Sequence, residues 1–225
     1  MSLNEIEMPS SDAILLGVTT IANQWQTVAI AWHAAFAVAL LAVLLGWRPS
    51  IRVAAYLLAL PFLSVSAAAV VSGNPFNGVV FASLFVLLVA VAARLSKDRV
   101  CVGTASLVVP GALLVAFGWG YPHFLETSRW TVYAYAAPLG VLPCPTLSAV
   151  LGVTLTLRLL GSRAWALTLA AAGLAYGATG VLMLGVKIDY VLLTGALVII
   201  GASRALTSSR VNMATPTRKR TQTAA

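Results

Sequence analysis

The stretch Thr27–Trp47, TVAIAWHAAFAVALLAVLLGW, carries no Asp, Glu, Lys or Arg. About 20 mostly apolar residues cross a hydrocarbon core about 30 Å thick at about 1.5 Å of rise per residue, so this stretch predicts a membrane-spanning helix. Six further segments meet or approach the same requirement: Val53–Val71, Phe76–Ala93, Val100–Gly118, Pro145–Leu160, Ala164–Leu184 and Tyr190–Ala205. The expected fold class is an all-α, polytopic transmembrane helix bundle of about seven spans over residues 27–205. The fifth and seventh segments are the shortest.

Composition agrees. Of 225 residues 60% are hydrophobic and 9% charged, where a soluble domain carries about 25% charged. A net charge of +8 would suggest nucleic acid if it formed a patch on a soluble domain. Here the basic residues lie between apolar runs and near the C-terminus, so no nucleic-acid partner is expected.

Their placement orients the chain. Arg48 and Arg52, then Arg94, Lys97 and Arg99, then Arg158 and Arg163, then Arg204, Arg210, Arg218, Lys219 and Arg220 fall in alternate loops and the tail. Only Arg129 and Lys187 fall on the other side. Cytoplasmic loops retain Lys and Arg, which predicts an N-terminus outside and a C-terminus in the cytoplasm, and the alternation requires an odd number of spans. Residues 1–26 read as an extracytoplasmic N-terminus without the charge layout of a cleaved signal peptide. They contain an interfacial helix, Ser11–Trp25, capped by Ser11 or Asp12. Residues 206–225 read as a disordered basic cytoplasmic tail drawn to anionic lipid at that face of the bilayer.

Apart from Arg158 and Arg204 near the ends of the fifth and seventh, no Asp, Glu, Lys or Arg lies within any expected span, which weakens an ion-driven carrier, since such proteins usually keep an ionisable group in the membrane. His33, in the first span, reads first as a helix-to-helix hydrogen-bonding residue. Gly173, Gly177 and Gly180 in AGLAYGATG form a small-residue face on the sixth span that suits helix packing, within the monomer before dimerisation. Pro61 and Pro110 are expected to kink the second and fourth spans.

Residues 119–144 form an outer re-entrant or interfacial segment leading to Thr146: WGYPHFLETSRWTVYAYAAPLGVLPCPT. Its aromatic residues suit a membrane interface. Pro143 and Pro145 flank Cys144 in a short extended turn, with Pro145 in the first turn of the fifth helix and Thr146 at its start. A thiol beside free helix N–H groups is drawn toward thiolate, which is nucleophilic and metal-seeking. Tyr121, His123, Pro143, Cys144, Pro145 and Thr146, with His33, form the candidate functional segment. Cys101 and Cys144 fall toward opposite faces and are not expected to pair.

Four stretches resemble a domain-of-unknown-function family of small bacterial polytopic membrane proteins: NPFNGVVFASLF (Asn74–Phe85), GYPHF (Gly120–Phe124), PLGVLPCPTLS (Pro138–Ser148) and LGVKIDYVLLTGAL (Leu184–Leu197). LPCPT at Leu142–Thr146 is the most specific. This chain departs at Lys187, where the family has Pro, and at Leu147 and Ser148, where the family has a second Thr or an aromatic. The resemblance implies a multi-pass protein of the bacterial inner (plasma) membrane and supplies no activity.

Three functions are weighed. The first is a small-solute binding or transport protein whose path or lid is the segment around Cys144. The alternative is an accessory or assembly subunit binding another membrane protein. The third, a metal or redox membrane protein, needs Cys144, His33 and His123 to converge. With no acid–base pair, hydrolase elbow or nucleotide loop, the expectation is no enzyme, no catalytic residue, and no cofactor or metal.

Overall fold

A computed structural model describes residues 10–214, except for the side chains of 205–214. The ends of the expected N-terminal segment and tail, 1–9 and 215–225, lie outside the described residues. The described chain is helical: α1 (Ser11–Gln24), α2 (Gln26–Leu44), α3 (Ile51–Val71), α4 (Pro75–Ala93), α5 (Ala105–Trp119), α6 (Tyr133–Ala136), α7 (Pro143–Thr156), α8 (Arg163–Ala178) and α9 (Tyr190–Ala214). Its one extended pairing among these residues is an isolated bridge between Ser50 and Arg99.

Local chemistry starts the helices. Side-chain oxygens of Ser10, Ser50, Asn74 and Ser162 accept backbone N–H bonds at the starts of α1, α3, α4 and α8, filling donors that a first turn leaves open. The cap of α1 is thus Ser10, one residue before the expected pair, because Ser11 and Asp12 are already helical. Pro75 follows its cap, where a missing N–H costs nothing. Arg48 donates to the Val43 carbonyl at the end of α2, and Arg52 reaches the Leu95 carbonyl just beyond α4 at 2.8 and 3.1 Å. Cations there complement the negative ends of the helix dipoles.

The long helices alternate in direction. Backbone bonds from Val100 to Pro49 and from Ile51 to Asp98 tie the α2–α3 and α4–α5 links together at one end of the bundle. Gly103 N–H donates to Thr156 O, joining the start of α5 to the end of α7. At the other end the Trp25 indole donates to Ser72 Oγ at 3.0 Å, and Tyr176 Oη donates to Asn77 Oδ1 at 2.8 Å.

Four helical stretches, α2, α3, α4 and Arg163–Met183, are long and apolar enough to cross a membrane; α5 and α7 are shorter apolar helices. This all-helical bundle is compatible with a membrane protein. The expected fourth segment began at Val100, but helix starts at Ala105. The sixth continues past Ala178 as a π-helical turn, Thr179–Met183, and α9 runs on to Ala214.

Helix α7 is the axis. Pro143, Pro145–Gly152, Thr154 and Leu155 are buried, and α5, α8, α9 and α3 surround it. It meets α5 backbone to backbone. A Cβ on Gly111 would lie 2.5 Å from Thr156 Oγ1 and 2.7 Å from Gly152 O, one on Gly152 would overlap Gly111 O, and one on Gly118 would overlap Pro145 O. The expected fifth segment ran to Leu160, yet α7 stops at Thr156. Arg158, Leu159 and Leu160 take φ of 53°, 58° and 51°, a left-handed turn completed by Gly161. Each such residue costs L-amino acids about 1–2 kcal/mol, and the turn sinks Leu159 and Leu160 into the core.

Gly152→Leu is expected to force α5 from α7 at about 1–3 kcal/mol of overpacking, lowering the melting temperature of the detergent-purified protein. Gly201→Ala, whose Cβ meets nothing within 4 Å, is the matched control. Equal melting of the two variants would show that the glycine contact is unimportant.

Candidate functional site

At the amino end of α7 three separated segments bring polar side chains together inside the protein. Asp189, on the short turn Lys187–Asp189, is only 2% exposed. Its Oδ1 accepts from Tyr121 Oη at 2.8 Å, and its Oδ2 accepts from Cys144 Sγ at 3.2 Å. Gly180, in the π-helical turn after α8, leaves the notch in which this carboxyl sits, since a Cβ there would overlap Asp189 Oδ2. Helical turns of this kind concentrate at functional sites.

Each partner is positioned from its own sequence. Tyr121 follows the end of α5, fully buried, with its ring between Phe117 (centroids 5.3 Å apart) and Phe124 (6.0 Å, stacked). Asn23 of α1 grips this loop by two bonds of 3.0 Å, donating to Phe124 O and accepting from Glu126 N–H. Phe124 itself has φ of 73°. Cys144 lies within the first turn of α7: Pro143, Cys144 and Pro145 are helical, with Leu142 as the extended cap. That corrects the expected extended turn, because both prolines fall where helix N–H groups lack partners anyway. The thiolate expectation is corrected too. The sulfur donates its proton to a carboxyl oxygen and so acts as a thiol. Thr146 is fully buried, accepting from Gly140 N–H at 2.8 Å and donating to Leu142 O at 2.7 Å, which locks the preceding turn. Gly140 has φ of 73°, and Trp32 packs where its Cβ would be.

The histidines stay apart from this cluster's bonds. His33 has Nδ1 2.8 Å from Ala29 O and Nε2 2.8 Å from Trp119 O, with its ring edge-on to Trp119. It joins α2 to the end of α5, and a neutral imidazole, with one N–H, donates to one of those carbonyls at a time. His123 is exposed and lies against Phe124. Among the described residues no three His, Cys, Asp or Glu side chains are grouped to hold a metal ion, so the convergence required by the metal or redox reading is not present. Gly173 faces Leu151, Leu192 and Ala196, and Gly177 faces Leu193; both pack within this chain.

No family model, curated protein or solved structure matches this chain.

The polar interior extends past the three contacts. Ser148, one helical turn after Cys144 on α7, is fully buried, and its Oγ alone among the described buried side-chain polar atoms lacks a hydrogen-bond partner. The Tyr176–Asn77 pair lies where α8 passes the start of α4. Sequence reasoning missed Asp189, Ser148, Asn77 and Tyr176. The signal was present in the quoted motifs: Asn77, Tyr121, Cys144 with Ser148, and Asp189 come one from each of the four stretches.

Burial pushes the Asp189 carboxyl above the ordinary carboxylate range; the bonds from Cys144 and Tyr121 and the nearby His123 oppose this and only partly offset it. Burial, then the neighbouring Cys144 and Asp189, pushes the Tyr121 phenol well up. A carboxyl with a raised folded-state value binds more protons folded than unfolded. Its stabilisation is whole below the ordinary value of about 4 and is lost as pH rises through the raised one. Wild type is therefore expected to lose melting temperature relative to Asp189→Asn as pH climbs from about 4. A gap that moves the other way would contradict the assignment.

Proposed function

We propose that this chain is a seven-span protein of a bacterial plasma membrane that binds or moves a small solute through the segment around Cys144. The spans are α2–α5 and α7–α9, with the N-terminus and the Asp189 cluster outside and the basic loops in the cytoplasm. Support comes from the placement of Lys and Arg and from the alternating direction of the helices. The resemblance to bacterial multi-pass proteins of unknown function points the same way. No catalytic role is assigned to any residue.

The observation that carries the solute reading is the Tyr121–Asp189–Cys144 cluster, with Tyr121 and Asp189 buried and Cys144 half-buried. A helix bundle needs only apolar packing at its end, whereas buried ionisable residues in membrane proteins typically mark pathways and binding sites. The turn before α7 adds non-helical backbone, which is tolerated at membrane depth where protein or a water-filled cavity encloses it.

One observation favours the accessory-subunit reading. From Ala37 to Leu41 every residue of α2 is exposed, and a groove beside it is lined by Ala34, Ala35, Val38, Ala39, Ala42 and Leu57. Small residues at this spacing admit a second helix closely; lipid chains fill the same groove if no partner does. The basic tail, 206–225, remains the expected contact of anionic lipid.

Reporter fusions test the topology. Fusions after Trp47, Ala93 and Leu160 are expected to report cytoplasm, and those after Val71, Gly118 and Leu184 the outside; a break in this alternation removes a span. For function, the purified protein is melted against a panel of small amines, amino acids and sugars. A ligand that raises the melting temperature in wild type but not in Tyr121→Phe or Cys144→Ala supports the solute reading. A ligand effect untouched by both variants would move the site elsewhere, and a co-purifying membrane protein without any ligand effect would favour the accessory role.

A further inference from the structure

Asp189 is almost fully enclosed, yet among the described residues no Lys or Arg touches it. Both its oxygens are engaged by neutral groups, a phenol and a thiol. The titratable groups that act on it are Tyr121 and His123 from the loop after α5 and Cys144 from α7; Lys187 shares its turn, and Gly180 of the π-helical turn lies against the carboxyl. His123 and Lys187 are exposed, so water screens them. An ionised carboxylate enclosed without a cation costs several kcal/mol. The two neutral donors offset part of that cost, and a proton bound within the cluster removes the rest.

The surroundings also show what ionisation would move. The carboxyl is carried on a short turn that begins after Gly185, at φ of 68°, and the Tyr121 loop is tied down at one side by Asn23 and at the other by Asp189 itself. A charged Asp189 gains water by swinging outward. That movement removes the bonds to Tyr121 Oη and Cys144 Sγ and frees the half-buried thiol.

We propose that Asp189 is a proton-binding site: protonated, it latches the Tyr121 loop over Cys144, and on releasing its proton to the outside it lets that loop open. The ligand is the proton itself, and the solute pathway opens and closes with it. The inference rests on reading this cluster as the working site, but not on the identity of any solute. It balances as an acid dissociation, with the O–H bond of the carboxyl breaking, the electron pair remaining on oxygen and the proton passing to water.

The test uses full-length protein in lipid vesicles, with exposed Cys101 changed to Ser so that Cys144 is the only thiol. Labelling by a membrane-impermeant maleimide is followed from acid to alkaline pH, and Asp189→Asn supplies the reference for the ordinary pH dependence of thiol chemistry. The ratio of rates, carboxyl form over Asn form, is expected to rise about tenfold or more, corresponding to about 1.4 kcal/mol in the opening equilibrium. A ratio that stays flat overturns the proposal. Infrared spectra of the Asp189-containing protein need no folded variant: a protonated-carboxyl band that disappears as labelling accelerates supports it, and absence of the band at every pH overturns it. Failure of the solute reading appears separately, as a ligand screen without effect.

Discussion

Helix α7 is enclosed by protein on every side, and its 14 residues rise about 21 Å, less than the roughly 30 Å of a hydrocarbon core. Read as one of the proposed spans, α7 has its ends completed by backbone that is not regular helix, in a medium that offers no water to unpaired N–H and C=O groups. The rest of the bundle answers that constraint. Glycines 111, 118 and 152 bring α5 within backbone contact of α7. The two completing segments are also held inside the fold: Ala136–Leu142 is buried on one side, and Leu157, Leu159 and Leu160 on the other.

The two completions are built differently. At the carboxyl end the chain reverses through a left-handed turn whose leucines enter the apolar core, so that end is held by packing. At the amino end the turn is held by hydrogen bonds, Thr146 taking Gly140 N–H and giving its proton to Leu142 O. Polar chemistry is consequently already present where Cys144 begins the helix, and a carboxyl can enter with donors to meet it. The same residue at the leucine end would find none.

The coarse fold was legible because its signals are local. Each run of apolar residues lies within one window of sequence, and the expected segments overlap α2, α3, α4, α5, α7, α8 and α9. Their ends were less legible: neither the stop of α7 at Thr156 nor the left-handed turn leaves a mark, since Leu159 and Leu160 read as more apolar helix. In the candidate site Tyr121 and Cys144 were visible as unusual residues in an aromatic, proline-rich stretch. Asp189 was not, because its partners lie 68 and 45 residues away and a lone acid in a loop looks solvated. The histidines misled for the same reason: closeness in type and expected depth did not make His33, His123 and Cys144 neighbours.

The scarcity of charge in the apolar segments weakens ionic coupling, but that argument bears on segments and not on depth. Asp189 belongs to no long helix, yet it is more enclosed than most residues of α2, because burial depends on what packs over a residue and not on the element that carries it. A carboxyl on a short turn differs from one fixed on a helix in what it takes to move it. Displacing a helical residue disturbs the bonds of a whole turn, whereas the Lys187–Asp189 turn is tied by few backbone bonds, among them Asp189 N–H to Val186 O. Movement at this site therefore falls on the loops around Tyr121 and Asp189, while the glycine contact between α5 and α7 keeps the frame beneath them fixed.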